Sequence, residues 1–244
     1  MSPQQSNYRI GTSGWHYDHW KGTFYPDGLK AEDMLPWYAG IFSTVEINNS
    51  FYRLPEASTL KAWRDTVPDG FTFAVKASRY ITHVKKLKDP HDPLTKLQKR
   101  LEALGDKLGP ILFQLPPGWK FNRDRLESFC KALSGDFTYA FEFRSETWFD
   151  DEALAVLEAY NMSFCVYELA GQVSPLIDTG PIGYLRLHGP GDKYEGSYDK
   201  KQLDKWARLL RSWHEKGKTV YCYFDNDQHG FAAGNARRML EECL

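Results

Sequence analysis

The chain has 244 residues, of which 42% are hydrophobic and 15% aromatic, and its formal net charge at pH 7 is -1. This length suits one large α/β domain or two small ones, and the apolar content can fill a core without disulfides. A charge this close to zero disfavours a protein that binds nucleic acid over a broad surface. The four cysteines form no CxxC pair, which is typical of buried, reduced thiols rather than of a metal or redox site.

The first residues of the chain, MSPQQSNYRIGTSGW, lack the basic start and the apolar run of a secretion signal. No apolar run approaches the roughly 20 residues that a membrane-spanning helix requires. We therefore expect a soluble cytoplasmic protein with no membrane partner.

Short runs rich in β-branched and aromatic residues recur along the chain, and each of them predicts a strand. In chain order they cover residues 9–12 (RIGT), 44–47 (TVEI), 71–76 (FTFAVK), 111–114 (ILFQ), 138–144 (TYAFEFR), 163–167 (SFCVY), 183–188 (GYLRLH) and 219–224 (TVYCYF).

Helical patterns fill most of the gaps between these strands. The clearest covers residues 93–108, where leucines at three- and four-residue spacing form an apolar stripe and Asp92 is placed to cap the helix. Asn122 precedes a predicted helix that reaches residue 133, and Asp199 precedes one that reaches about residue 215. Weaker patterns predict helices at residues 32–42, 58–66, 151–160 and 235–243.

Strands that alternate with helices imply parallel strands with right-handed crossovers. Eight such units in ~250 residues predict a closed (β/α)8 TIM barrel, and an open doubly wound sheet is the structural alternative. Residues 168–182 contain two glycines and two prolines and show no helical stripe, so the sixth helix is expected to be missing or vestigial. No linker or repeat divides the chain, which predicts a single α/β domain over residues 1–244, with an ordered core from residue 8.

The alternation of side chains along a strand separates the barrel interior from the exterior. In each predicted strand the bulky apolar residues form one set, which we expect to pack on the helices. The other set is polar where the strand ends, and it is expected to point into the barrel mouth, the open end at the carboxyl termini of the strands. These polar residues are Glu46, Asn48, Lys76, Gln114, Glu142, Arg144, Tyr167, Arg186 and His188. The last strand leaves two choices, because either Asp225 or Asn226 can point into the mouth.

A ring of ion pairs that fills the barrel, for example Glu142 with Arg186, is the alternative to a functional site. Buried ion pairs cost free energy relative to apolar packing, so a barrel that needed only stability is expected to use Val and Ile there. Replacement of Glu142 by Gln separates the two hypotheses. A catalytic Glu142 predicts lost turnover with nearly unchanged thermal stability, whereas a structural ring predicts a strong loss of stability.

Seven stretches spread over nearly the whole chain carry a family likeness. They are residues 11–26 (GTSGWHYDHWKGTFYP), 43–55 (STVEINNSFYRLP), 70–78 (GFTFAVKAS), 108–117 (LGPILFQLPP), 141–149 (FEFRSETWF), 184–189 (YLRLHG) and 220–226 (VYCYFDN). In these stretches the chain resembles the YecE-like family, domain of unknown function 72. The resemblance implies a TIM-barrel fold and a bacterial or archaeal cytoplasmic protein, but it implies no reaction. The family's motifs coincide with inward positions, so the resemblance also implies that these form its site.

The charges expected in the mouth favour a small anionic partner. Arginine and lysine supply the positive charge, and the guanidinium fork suits carboxylate or phosphate groups. Aromatic residues in the loops after the strands, among them Trp15 and Tyr52, are expected to form a rim that stacks on sugars or bases. The loop at residues 188–198 contains three glycines and lies where many TIM barrels bind phosphate.

The leading hypothesis is an enzyme of hydrolase or lyase type that acts on a small anionic, sugar-like or nucleotide-like substrate without a cofactor. Glu142 is expected to act as general acid or base, with His188 as its partner and Glu46 as a further catalytic group. The residues expected to bind the substrate are Lys76, Arg144, Arg186, Asn48, Gln114, Tyr167, Trp15, Tyr52, Asp225 and Asn226.

Two other hypotheses stay open. A divalent-metal enzyme of isomerase or endonuclease type would use Glu142, His188 and Asp225 as ligands, although two inward arginines compete for the carboxylates. A ligand-binding barrel without turnover fits the polar mouth equally well. A nucleic-acid partner is disfavoured, because a solvated loop explains the lysines in residues 83–89. The oligomeric state is left open.

Overall fold

The computed structural model describes residues 7–243. Within them the strands are β1 (Tyr8–Thr12), β2 (Thr44–Ile47), β3 (Thr72–Lys76), β4 (Leu108–Gln114), β5 (Tyr139–Glu142), β6 (Ser163–Leu169), β7 (Gln172–Val173), β8 (Ile182–Leu187) and β9 (Thr219–Phe224). The helices are α1 (Met34–Ala39), α2 (Ala57–Thr66), α3 (His91–Leu101), α4 (Arg123–Ala132), α5 (Asp151–Ala159), α6 (Lys200–Glu215) and α7 (Phe231–Cys243). Every predicted strand and helix is present; β2 and β9 have the predicted ends, and the other elements differ from the predictions at one or both ends.

The long strands form a nearly closed parallel barrel, in the order β1-β9-β8-β6-β5-β4-β3-β2 over the described residues. The predicted TIM-barrel fold is confirmed, and the open doubly wound sheet is excluded. Between β6 and β8 the described chain contains no helix, and β7 instead pairs antiparallel with the end of β6. The sixth helix is therefore missing, as predicted.

The barrel forms one α/β domain. The predicted domain over residues 1–244 also includes residues 1–6 and 244, which lie outside the described residues. Between residues 7 and 243, no helix has the length and apolar character needed to span a membrane. The cytoplasmic location stays a prediction.

Buried apolar side chains lie on both faces of the barrel wall. The larger group packs between strands and helices and includes Val45, Phe73, Phe113, Phe141 and Leu185, all expected to face outward. The smaller group consists of Ala74, Leu112, Ala140, Cys165, Ile182, Tyr184, Tyr221 and Tyr223, whose strand members alternate with the outward set. The barrel interior is therefore filled by side chains, small ones on β3 and β5 and tyrosines on β8 and β9.

Two of the predicted helix caps are confirmed. The side chain of Asn122 accepts a hydrogen bond from the backbone N–H of Arg125 at 2.9 Å. Asp199 accepts one from the N–H of Gln202 at 2.8 Å, and the Gln202 side chain accepts from the N–H of Asp199 at 2.9 Å. This reciprocal capping box fixes the start of α6, the longest helix of the described residues.

Helix α3 differs from its prediction at both ends. Asp92 does not cap it, because the helix already begins at His91, and the carbonyl of Pro90 accepts the hydrogen bond from the N–H of Leu94. Asp92 lies instead in the first turn, where its charge suits the helix dipole. The α-helix ends at Leu101 rather than at residue 108, and a 3-10 segment (Glu102–Lys107) follows.

The barrel closes between β1 and β2 at a seam that a side chain completes. Among the described residues only the isolated bridge between Ser13 and Glu46 joins the two strands. Next to it, the hydroxyl of Tyr38 from α1 accepts a hydrogen bond from the N–H of Thr12 at 2.9 Å and donates one to the carbonyl of Thr44 at 3.1 Å. The tyrosine thus replaces part of a backbone ladder.

We expect Tyr38→Phe to lower the free energy of unfolding by about 1–3 kcal/mol, because Thr12 and Thr44 lose a buried hydrogen-bond partner. Urea denaturation measures the loss. Tyr52→Phe is the control, since the Tyr52 side chain is 79% exposed and is expected to leave stability unchanged. Equal stability of the two variants would contradict the role of Tyr38.

Candidate active site

Arg186, at the carboxyl end of β8, is fully buried and lies within ion-pair distance of three carboxylates, those of Glu46, Glu142 and Asp225. Its Nε and Nη2 donate hydrogen bonds to the Glu46 carboxylate at 3.0 and 2.7 Å, and its Nη1 donates to Glu142 Oε2 at 2.9 Å. Its Nη2 also lies 3.3 Å from Asp225 Oδ2. The pair of Glu142 with Arg186, which the ion-pair alternative describes, is thus present.

Glu46 is held from the other side by two hydroxyls. Ser13 Oγ donates to its Oε1 at 2.7 Å, and the Tyr184 hydroxyl donates to its Oε2 at 2.7 Å. We call Arg186, Glu46, Ser13 and Tyr184 the lower layer; all are at most 1% exposed. Sequence reasoning missed two of them. Tyr184 could have been found by alternation, two residues before Arg186, whereas Ser13 follows a strand whose faces were not assigned.

Glu142 joins the lower layer to Arg144. Its Oε1 accepts a hydrogen bond from Arg144 Nε, and the Arg144 guanidinium lies over the ring of Tyr167, 4.3 Å from the centroid. Burial alone would raise the pKa of Glu142, but the positive charges of Arg144 and Arg186 outweigh it and lower the pKa. Glu142 is therefore a carboxylate at neutral pH, which suits holding the arginines better than donating a proton.

His188 has a hydrogen-bond pattern that fixes its tautomer. Its Nε2 lies 2.8 Å from Arg144 Nη2 and 3.2 Å from Arg186 Nη1, and both partners can only donate. Nε2 must therefore be unprotonated, and Nδ1 carries the proton that it donates to Asp225 Oδ2 at 2.9 Å. Burial, together with the charges of Arg186 and Arg144, lowers the pKa of His188 well below its ordinary value of 6.5.

Lys76 enters the mouth without an ion pair to any described residue. Its Nζ lies over the ring of Phe51, 4.4 Å from the centroid, and its side chain is largely buried. Burial and the charge of Arg186 lower the pKa of Lys76 from 10.5 to about 8, against the opposing effect of Glu142. We call Lys76, Arg144, Tyr167, His188 and Asp225 the upper layer.

Asp225, rather than Asn226, points into the mouth. Burial raises the pKa of Asp225, an effect that Arg186 opposes. The Asn226 side chain instead donates to the carbonyl of Gly196 at 2.7 Å and to Asn235 Oδ1 at 2.9 Å. Asn226 therefore ties the β8–α6 loop to α7, and its expected place in the substrate site is corrected.

The remaining predicted positions lie around these layers. Gln114 is half-buried at the end of β4, opposite Glu142 in the ladder. Asn48 lines a separate cavity of about 130 Å³ together with Trp15. Trp15 is buried and its ring packs edge-on against Trp63 of α2, with centroids 4.8 Å apart, so its part in binding a substrate stays a prediction.

Two tyrosines of the rim differ in what they cover. The exposed ring of Tyr52 packs edge-on against Phe51, beside Lys76. Tyr194, in the β8–α6 loop, packs edge-on over His188 with centroids 5.6 Å apart, and its backbone N–H donates to the His188 carbonyl at 2.7 Å. Tyr194 therefore covers the imidazole from the solvent side.

The residues of the metal hypothesis do not fit a divalent ion in this arrangement. Glu142 and Asp225 both contact the Arg186 guanidinium, and the Nδ1–H of His188 points at Asp225. Within residues 7–243 no group of three His, Cys, Asp or Glu side chains is placed to hold a metal ion.

Comparison with known proteins identifies the family of the chain. The family model described as "Protein of unknown function DUF72" matches residues 9–244. The chain belongs to this family. The resemblance to the YecE-like family, domain of unknown function 72, is therefore confirmed.

Relatives of this DUF72 protein share its whole length. The UPF0759 protein YunF of Bacillus subtilis (strain 168) is 25% identical in an alignment of 271 positions that covers 95% of this chain and 93% of that protein. The crystal structure of a DUF72 family protein (TM1631) from Thermotoga maritima MSB8 is 27% identical, with a TM-score of 0.86 and coverage of 96% of this chain and 98% of that one. The DUF72 family protein EF0366 from Enterococcus faecalis V583 has a TM-score of 0.82 at 18% identity, covering 97% and 95% of the two chains. These likenesses support the fold, and none of the names states a reaction.

Proposed function

We propose that the DUF72 protein is an enzyme of hydrolase or lyase type that acts on a small anionic, sugar-like or nucleotide-like substrate at the barrel mouth. The observation that carries the proposal is the unprotonated Nε2 of His188, which only guanidinium donors approach. A neutral imidazole whose Nδ1–H is oriented by a carboxylate is the arrangement of a general base. Nε2 accepts a proton from water in a hydrolase, or from the substrate in a lyase.

Arg144 links anion binding to the release of this base. In the absence of substrate its guanidinium shares its donors between Glu142 and His188 Nε2. A carboxylate or phosphate group competes for the same donors and binds a guanidinium more strongly than a neutral imidazole does. When the anion draws Arg144 away, Nε2 keeps only the longer contact with Arg186 Nη1, at 3.2 Å, and can accept a proton.

Lys76 is the second anion-binding group. It is a cation without an ion pair among the described residues, so an incoming anion replaces no existing partner. An anion beside its Nζ also stabilises the ammonium charge that burial disfavours. Lys76 and Arg144 together offer two positive charges to the substrate.

Glu46 and Glu142 act through the arginines in this proposal. Both carboxylates are fully buried and bind Arg186, and Glu142 also binds Arg144. They position the cations rather than transfer protons, a role different from the catalytic one expected from the sequence. The bound cations balance their charge inside the barrel.

Nitrogen-15 NMR of the imidazole tests the proposal. At pH 7 we expect Nε2 of His188 to be unprotonated and its resonance to shift when inorganic phosphate or succinate binds, because Arg144 leaves it. Lys76→Met and Arg144→Met are each expected to weaken anion binding by about tenfold or more. Lys120→Met, at an exposed position of the rim, is the control.

Turnover separates an enzyme from a ligand-binding barrel. In a screen of phosphate esters and sugar acids, His188→Gln is expected to lower the rate on any substrate by about 10²–10⁴-fold. Anion binding with no turnover of any compound would favour the ligand-binding barrel. A protonated Nε2 at pH 7, or an imidazole whose nitrogen-15 resonance does not shift when anions are added, would contradict the proposal.

A further inference from the structure

A second cavity lies beside the upper layer, outside the ion-pair network. It has a volume of about 400 Å³, within the range of small-molecule sites, and the residues that line it are His19, Lys193, Tyr194, Glu195, Asp227, Gln228 and His229. Three loops supply them: β1–α1, β8–α6 and β9–α7. Among the described residues that line it, Tyr194 contacts the upper layer, because its ring packs on His188. The other described lining residues form no hydrogen bond or ring contact with the upper layer.

Tyr194 makes the cavity and the mouth neighbours. One side of its ring packs over His188, and the residue also lines the cavity. Its backbone has a positive φ of 64°, an uncommon conformation for a residue with a side chain, and His229 across the cavity has a φ of 54°. The two loops are therefore held in less favourable conformations on opposite sides of the same space.

The lining of the cavity is suited to hydroxyl groups rather than to a second anion. Glu195 and Asp227 bring two carboxylates that accept hydrogen bonds and outnumber the single ammonium of Lys193, so these three side chains together disfavour phosphate. Gln228 and the imidazoles can both donate and accept. His19 Nε2 donates to the carbonyl of Asp227 at 2.8 Å, which leaves most of the Asp227 carboxylate available to a ligand. Neighbouring hydroxyls, each a donor and an acceptor, match such a mixed lining, and the face of Tyr194 offers an apolar wall.

We infer that this cavity holds the polyhydroxylated part of the substrate whose anionic group is bound by Lys76 and Arg144. The inference rests on the proposed function and narrows its substrate class to sugar phosphates or sugar acids, as opposed to nucleotides. The bond that reacts lies at the junction of the two parts, under Tyr194 and beside His188. The glycine-containing loop at residues 188–198 thus contributes a sugar contact instead of the phosphate contact that its position in the barrel suggests.

Calorimetric titration of matched probes tests the inference. Glucose 6-phosphate and ribose 5-phosphate are compared with inorganic phosphate, and gluconate is compared with acetate. We expect at least one sugar derivative to bind about tenfold or more tightly than its simple anion, a gain of about 1.4 kcal/mol. Which pair shows the gain distinguishes a phosphate from a carboxylate as the anionic group.

Variants of the cavity locate the gain. Asp227→Ala and Gln228→Ala are expected to remove most of the advantage of the sugar derivative and to leave the affinity for inorganic phosphate or acetate unchanged. Both side chains are at least partly exposed, so the barrel is expected to fold. Lys120→Met, at an exposed position of the β4–α4 loop, is the control and is expected to retain the full advantage.

Two results would overturn the inference while leaving the proposed function intact. One is that simple anions bind through Lys76 and Arg144 but no sugar derivative binds more tightly. The other is that AMP gains affinity over phosphate when the sugar phosphates do not. If the simple anions themselves fail to bind, the proposed function fails, and the inference fails with it.

Discussion

Glu142→Gln is expected to lower the free energy of unfolding at pH 7 by about 3–5 kcal/mol, because it leaves two buried arginines short of a negative charge. The sequence alone predicts nearly unchanged stability for a catalytic carboxylate at this position. The structure reverses that expectation, since Glu142 is fully buried and binds Arg144 and Arg186. Urea denaturation of wild type and variant measures the difference.

The effect of Glu142→Gln is expected to depend on pH. The folded-state pKa of Glu142 is lowered by Arg144 and Arg186 against the effect of burial, so its carboxylate stabilises the fold above its ordinary value of 4.5. That contribution is lost as the pH falls below 4.5 towards the folded-state pKa, because the unfolded chain takes up the proton first. The difference between wild type and variant therefore shrinks in acid.

Glu168→Gln is the matched control. Glu168 is also buried, but its Oε2 accepts a hydrogen bond from Trp206 Nε1 at 2.9 Å and forms no ion pair among the described residues. A glutamine oxygen can accept the same bond, so little change is expected. If Glu142→Gln were as stable as Glu168→Gln, the ion-pair role of Glu142 would be refuted.

Lys76→Met is expected to act in the opposite direction and to raise the free energy of unfolding at pH 7 by up to about 3 kcal/mol. The folded protein holds the ammonium in a site where burial and Arg186 lower its pKa to about 8, and methionine removes that cost. Because the unfolded chain keeps the proton up to a pKa of 10.5, the cost disappears as the pH rises from 8 to 10.5. Thermal or urea denaturation of wild type and variant at pH 7 and pH 10.5 tests both predictions.

Lys107→Met provides the comparison, because Lys76 and Lys107 are both 8% exposed. The Nζ of Lys107 donates to the carbonyls of Arg64 and Val67 at 2.9 and 2.6 Å, so its loss leaves buried acceptors unpaired. We expect it to cost about 1–3 kcal/mol. If Lys76→Met raises the stability and Lys107→Met lowers it, the Lys76 side chain lowers the stability of the fold, whereas the paired Lys107 side chain raises it. We would infer that Lys76 is retained to bind a ligand. Destabilisation by both variants would remove that argument for Lys76.

Alternation along the strands accounts for most of what the sequence predicted. Because neighbouring residues of a barrel strand face opposite sides, Phe141 identifies Glu142 as inward without any knowledge of its partners. The missing sixth helix was equally predictable, since residues 168–182 lack an apolar stripe.

The depth of each inward side chain in the barrel and the conformation of the loops could not be predicted from the alternation along the strands. Alternation places Glu46 and His188 on one face. It does not say that Glu46 is buried against Arg186, or that His188 has an unprotonated Nε2 that accepts hydrogen bonds from two arginines. It also stops where a strand stops, which is why Asp225 and Asn226 stayed undecided. Loop residues such as Asp227 carry no periodic signal at all.

The seam between β1 and β2 has a consequence for biosynthesis. In the described chain β1 has a continuous hydrogen-bonded ladder only with β9, the last strand to leave the ribosome. The first strand made therefore waits for the last one before it has a sheet neighbour along its length. Asp225 follows β9 directly, so its contact with Arg186 forms only when β9 is in place. The contacts of the charged mouth are therefore complete only after the barrel has closed.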